Sequence, residues 1–164
     1  MRRVVITGAG TINALGHSVP ETLEAMREGR CGIGPLDIRD ADRLSVSVGA
    51  QVRDWQPEAH FDRARLGLLD RFAQFALKAA TEAVAQAGLS FPDDLALRAG
   101  VVLGSAGGGL TTSDDSYRCV YQEGKNRVHP LVVPRLMHNA AASHVSMAFG
   151  LRGPAFCVAT ACAS

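Results

Sequence analysis

Three short apolar runs constrain this chain more than any other feature, because each ends in small residues. Arg3–Thr7 is β-branched and runs into Gly8-Ala9-Gly10. Arg98–Leu103 runs into Gly104-Ser105-Ala106-Gly107-Gly108-Gly109. Pro154–Thr160 runs into Ala161-Cys162-Ala163-Ser164. Apolar runs of this length, without polar alternation, suit strands buried on both faces. Such strands need crossover connections, and helical patterns lie between them. The expected class is therefore α/β, layered, with a mostly parallel sheet.

The helical segments carry their own punctuation. Pro20–Arg27 has Pro20 in its first turn and Gly29 as its stop. Asp70–Ala87 has the clearest pattern, with Phe72, Phe75, Ala76, Ala79, Ala83 and Ala87 at helical spacing. Asp70 is placed to cap it and Gly88 to end it. Its many alanines predict close packing on more than one side. Thr111–Gly124 is expected to be a helix with a polar face, and Pro134–Phe149 a single helix. Cys31–Gln56 reads as loop. Alternation of Val46 and Val48 with Ser45, Ser47 and Gly49 allows an edge hairpin in Leu44–Val52.

Composition narrows the function classes. The chain has 164 residues, is 47% hydrophobic and 20% charged, and sets 17 Lys+Arg against 16 Asp+Glu. A net charge of +1 offers no electrostatic footprint for nucleic acid or an anionic membrane. No apolar stretch approaches the ~18 residues of a membrane span. The apolar run after Arg2-Arg3 stops at Thr7-Gly8, too early for a signal peptide. Cysteines 31, 119, 157 and 162 include no C-x-x-C pair, and the five histidines include no H-x-x-x-H pair. A zinc site therefore has no support. A cytoplasmic protein with reduced thiols is expected.

Four motifs invite chemistry. Gly8-x-Gly10-x-x-Asn13 follows a strand, as a dinucleotide-binding turn does, but Asn13 stands where that fingerprint wants Gly or Ala. Tyr121-x-x-x-Lys125 mimics the catalytic pair of short-chain dehydrogenases, with Gly124 disrupting its helix. An NAD(P)-dependent reductase is the distant alternative, and a structural turn the plainer reading. Gly104–Gly109 lacks the Gly-Lys-Ser/Thr ending of a phosphate loop. It is either a turn or a pocket wall opened by missing side chains. Cys162 follows a strand where the chain should turn into a helix. A thiol at that point gains from the helix N-terminus, and small neighbours Ala161 and Ala163 permit a sharp elbow. Position alone leaves it either a nucleophile or a small buried residue.

The ordered set is more specific than its parts. Arg3-Val4-Val5-Ile6-Thr7-Gly8-Ala9-Gly10, Asp70-Arg71-Phe72-Ala73-Gln74-Phe75, Gly104-Ser105, Phe149-Gly150-Leu151-Arg152-Gly153-Pro154 and Ala159-Thr160-Ala161-Cys162 follow one another along the chain. In that order they resemble the β-ketoacyl-acyl carrier protein synthases, nearest the synthase I/II group of the thiolase superfamily. The resemblance covers residues 1–164. It implies a thiolase-like fold, layered α-β-α-β-α in the complete protein, of which this chain is the N-terminal half. It implies that Cys162 is the nucleophile of a decarboxylative Claisen condensation, and that no cofactor is needed. The family's two catalytic histidines and second oxyanion donor would lie beyond Ser164, so the 164 residues alone are expected to be inactive. Gly107 matches a gate of the acyl pocket. Val132, Val133 and Met137 either line that pocket or are simple core. Arg63, Arg65, Lys125 and Arg127 match basic positions that meet the acyl carrier protein, or are merely solvated. A homodimer is implied. Fatty acid synthesis is the expected pathway, with a polyketide or nodulation-type ketosynthase as the alternative.

Overall fold

A computed structural model describes residues 3–164. The elements run α1 (Val19–Arg27), β1 (Ile33–Pro35), β2 (Val48–Ala50), α2 (Arg63–Leu66), α3 (Arg71–Ala87), α4 (Asp93–Arg98), β3 (Val101–Gly104), α5 (Leu110–Tyr121), α6 (Val132–Leu136), α7 (Ala140–Ala148) and β4 (Ala155–Val158). The chain forms two compact units. One takes residues up to Gln56 together with Lys78–Leu89, and the other takes Pro57–Leu77 and Ser90–Ser164.

In the first unit, α1 forms as expected, with Ser18 Oγ accepting from the Glu21 N–H. The hairpin does not form within 44–52. Instead β2 pairs antiparallel with β1, with Ile33 opposite Ala50 and Pro35 opposite Val48. The glycines after the first apolar run meet the C-terminal half of α3. A Cβ on Gly10 would run into the Ala79 carbonyl, and one on Gly8 into the Ala83 carbonyl. Small residues on both partners thus let one backbone lie against the other. The Ala9 N–H donates to Gln86 Oε1 (2.6 Å), while Glu82 accepts from the N–H groups of Thr11 (3.0 Å) and Val19 (2.7 Å). Asn13 ties the turn by accepting from the Leu15 N–H (2.7 Å) and donating to Thr22 Oγ1 (3.0 Å). The Ala9, Thr11 and Leu15 N–H groups are thus spent on the protein itself, and Gly8 and Gly10 serve close backbone packing against α3.

The buried strand expected at Arg3–Thr7 is not found. Val4, Val5 and Ile6 are 97%, 66% and 92% exposed, and the segment joins no sheet. A strand exists only where a neighbour takes its backbone hydrogen bonds, and none among the described residues does so here.

In the second unit, β3 and β4 pair parallel, with Val101 opposite Ala155, Leu103 opposite Cys157 and Gly104 opposite Val158. Helix α7 packs on both strands through its buried Ala140, Ala141, Ala142 and Val145. Leu69 and Leu77 are the largest fully buried side chains. Removing either to alanine would cost about 2–5 kcal/mol.

Two boundaries differ from expectation. The run from Arg98 starts as helix: Arg98 ends α4, whose first turn holds Asp93 and Asp94, and β3 begins only at Val101. Acidic residues first and a basic residue last suit the helix dipole. The single helix expected over 134–149 breaks into α6 and α7, where Met137 turns extended (ψ 140°). The Leu136 carbonyl, which a continuous helix would offer to the Ala140 N–H, accepts instead from the Gly109 N–H at 3.0 Å. A tertiary bond has replaced a helical one.

His144 on α7 is half-buried. Burial pushes its pKa below the ordinary 6.5, aided by the Arg65 charge and opposed by a hydrogen bond involving the Leu68 backbone. The folded state therefore prefers the neutral ring. Its contribution is intact above pH 6.5 and is lost as pH falls through that value toward the lower folded pKa. Urea midpoints at pH 7.5 and 5.5 should show wild type losing more stability on acidification than His144→Gln. Equal losses would refute this assignment.

Candidate active site

The candidate site lies at the carboxyl ends of β3 and β4, where α/β sheets gather their ligands. Ladder pairing continues one residue past β3, with the Ser105 N–H donating to the Val158 carbonyl (3.0 Å). The glycine loop and the Cys162 turn therefore leave the sheet side by side.

The turn after β4 is tight. Thr160 has φ −127° and Ala161 takes φ +53°, a left-handed conformation uncommon for alanine. Ala161–Ala163 then form one 3-10 turn, so the helix start expected at Cys162 is a single turn. Ser164 Oγ accepts from the Thr160 N–H (2.7 Å) and closes the elbow. Cys162 is exposed and its thiol is free. Among the described residues nothing accepts its backbone N–H. Cys157, inside β4, is half-buried.

Gly104 explains how closely the elbow sits against β3. A Cβ there would stand 2.5 Å from the carbonyl carbon of Ser164. Further along the loop, Ser105 Oγ accepts from the Gly108 N–H (3.0 Å). A Cβ on Gly109 would come within 2.6 Å of the Leu136 Cα and 2.7 Å of the Arg135 carbonyl. The absent side chains at 104 and 109 are thus used for backbone contact. At Gly107 a Cβ would meet the tip of Leu110, 2.9 Å away.

Asp70 does more than the sequence suggests. It is 3% exposed, and its Oδ1 accepts from the Phe72 N–H (3.2 Å) at the start of α3. Its Oδ2 accepts from the Thr112 N–H (2.7 Å) in the first turn of α5. One carboxylate thus satisfies orphan donors of two helices. No local signal joins residues 42 apart in the chain.

The other expected residues fall in three places. Val132 lines a cavity of about 190 Å³ together with residues of α5, and Arg135 shares that wall. Val133 and Met137 are 61% and 41% exposed. Arg63 and Arg65 lie on α2, where Arg65 sits over the Phe61 ring. Lys125 and Arg127 are exposed in the loop after α5, and Lys125 pairs with Glu123 at 2.7 Å. That pairing raises the Lys125 pKa. Among the described residues no three His, Cys, Asp or Glu side chains gather as a metal site, and no helix is long and apolar enough to cross a membrane.

Residues 1–164 match the family model described as Beta-ketoacyl synthase, N-terminal domain, and the chain belongs to that family. Its fold is that of the N-terminal half of thiolase-like ketosynthases. The ishigamide ketosynthase/chain length factor superposes with a TM-score of 0.83 at 25% identity, covering 97% of this chain and 40% of that one. Nodulation protein E of Rhizobium sp. (strain N33) is 44% identical over 163 residues, 99% of this chain and 40% of the relative. The 3-oxoacyl-[acyl-carrier-protein] synthase 2 of Coxiella burnetii (strain RSA 493 / Nine Mile phase I) is 34% identical over 161 residues, 98% of this chain and 39% of the relative. The chain therefore spans about 40% of the length of these relatives.

Proposed function

We propose that this chain is the N-terminal half of a condensing enzyme, a 3-oxoacyl-[acyl-carrier-protein] synthase, with Cys162 as its nucleophile. The observation that carries this reading is the exposed thiol on a tight turn at the carboxyl end of a parallel ladder, beside a glycine loop. Membership of the family supports it.

The chemistry follows from that placement. Cys162 gives up its proton and its thiolate attacks the thioester carbonyl of an acyl carrier protein; the bond from that carbon to the carrier sulfur breaks, and the carrier leaves as a thiol that takes up the released proton. Oxygen bears the negative charge in the tetrahedral transition state, and the unoccupied Cys162 N–H is one donor for it. A malonyl carrier then loses CO2. Its carbanion attacks the acyl-Cys162 carbonyl, a carbon–carbon bond forms, and the Cys162 thiolate departs from a 3-oxoacyl carrier. The histidines that assist decarboxylation belong to the C-terminal half of the complete enzyme, which works as a homodimer in the cytoplasm.

A second reading, a nodulation-type ketosynthase, rests on the higher identity to nodulation protein E, 44% against 34% for the synthase 2 relative. Both readings share the acyl-Cys162 intermediate and differ in the acyl group.

Carrier docking is proposed for Arg63, Arg65 and Arg127, with Lys125 contributing less because Glu123 already holds it. Full-length protein mixed with hexanoyl carrier protein should gain one hexanoyl mass, on the peptide bearing Cys162. Raising NaCl from about 50 to 500 mM should slow the transfer roughly tenfold, as screening removes steering. An adduct on Cys31 would overturn the nucleophile assignment, and a salt-independent rate would overturn the docking surface.

A further inference from the structure

Helix α5 and the segment 128–135 line the half-open 190 Å³ cavity, and a few polar groups interrupt its mainly apolar wall. Arg135 is half-buried there, with Nε buried and without a hydrogen-bond partner. No carboxylate among the described residues pairs with its guanidinium. Thr112 is 4% exposed and its Oγ1 is likewise buried and unpartnered. His129 adds a third polar group. Its Nδ1 accepts from the Leu131 N–H (3.2 Å), so the neutral ring carries its proton on Nε2 and is a further donor. Asp115 also borders the cavity and has a partner of its own. Val128 and Val132 complete an apolar flank.

Buried donors left unpaired are costly, and a guanidinium most of all. A methyl-ended chain would leave that cost standing. A carboxylate would remove it, because its two oxygens match the planar fork of arginine. Apolar walls leading to a cationic end fit a short chain with an anionic terminus. We infer that this cavity receives acyl groups whose far end carries a carboxylate, with Arg135 as the specificity-determining residue. The inference rests on the ketosynthase reading and deepens it.

The test compares adipoyl and hexanoyl pantetheine thioesters, equal in chain length, as acyl donors to Cys162 of the full-length protein. Intact mass follows both. Adipoyl transfer should be favoured roughly tenfold in kcat/KM, and Arg135→Leu should abolish that preference. Arg135→Lys should restore part of it, which a merely structural role would not do. An adipoyl-to-hexanoyl ratio unmoved by Arg135→Leu overturns the inference alone. Failure of both thioesters to acylate wild type overturns the ketosynthase reading and the inference with it. An unmoved ratio with dissociation of the oligomer in Arg135→Leu would assign the guanidinium to a partner's carboxylate, and would also overturn the inference.

Discussion

Cys162→Ala should leave the full-length protein with no acyl adduct and should lower condensation by about four orders of magnitude or more. The size of the effect follows from covalent catalysis. Without the sulfur there is no thioester to receive the malonyl-derived carbanion, and the two half-reactions cannot be joined. The fold should survive, because the thiol is exposed and removing it opens no cavity. Intact mass after incubation with acyl carrier protein reads the first expectation, and an unchanged urea midpoint reads the second. Condensation persisting within tenfold of wild type would remove Cys162 from the mechanism. Cys162→Ser should also be severely impaired, since a hydroxyl at neutral pH is a far weaker nucleophile than a thiolate.

Asp70→Ala should destabilise the protein by about 3 kcal/mol, the sum of a lost helix cap and a buried N–H left without an acceptor. Both terms come from one side chain. The α3 start loses its bond to Oδ1, and Thr112 loses its 2.7 Å bond to Oδ2. Asp70→Asn should fall between the two, because the amide oxygen can serve one helix while its NH2 faces the donor of the other. Urea denaturation of the three proteins gives the comparison. A loss below about 0.5 kcal/mol in Asp70→Ala would show that water replaces the carboxylate at both helices.

Some of this was legible in the residues and some was not, and the division has a physical basis. Helices α1, α3 and α5 could be placed because their start and stop signals are local: Pro20, Gly29, Asp70, Gly88 and Gly124 act within a few residues of themselves. The break between α6 and α7 could not, because it depends on Gly109 taking the Leu136 carbonyl from another segment. Arg3–Thr7 has the composition of a buried strand, but burial is a property of neighbours, and composition does not supply them. At the site, Cys162 and the glycine loop were legible from their position after strands. The second role of Asp70 and the unpaired guanidinium of Arg135 were not, since each is defined by a residue distant in sequence. Ser105 is the exception that could have been found. Its bond to the Gly108 N–H spans three residues, a local pattern familiar from serine turns.

The β3–β4 ladder holds the elbow, yet among the described residues both of its outer edges are unpaired, and Val102 and Phe156 stand 69% and 49% exposed. A ladder of two strands is flexible in water. The direction of the Cys162 thiol therefore depends on how firmly those edges are held. Were a further strand to pair with either edge, completing the sheet would also fix the direction in which the proposed nucleophile points.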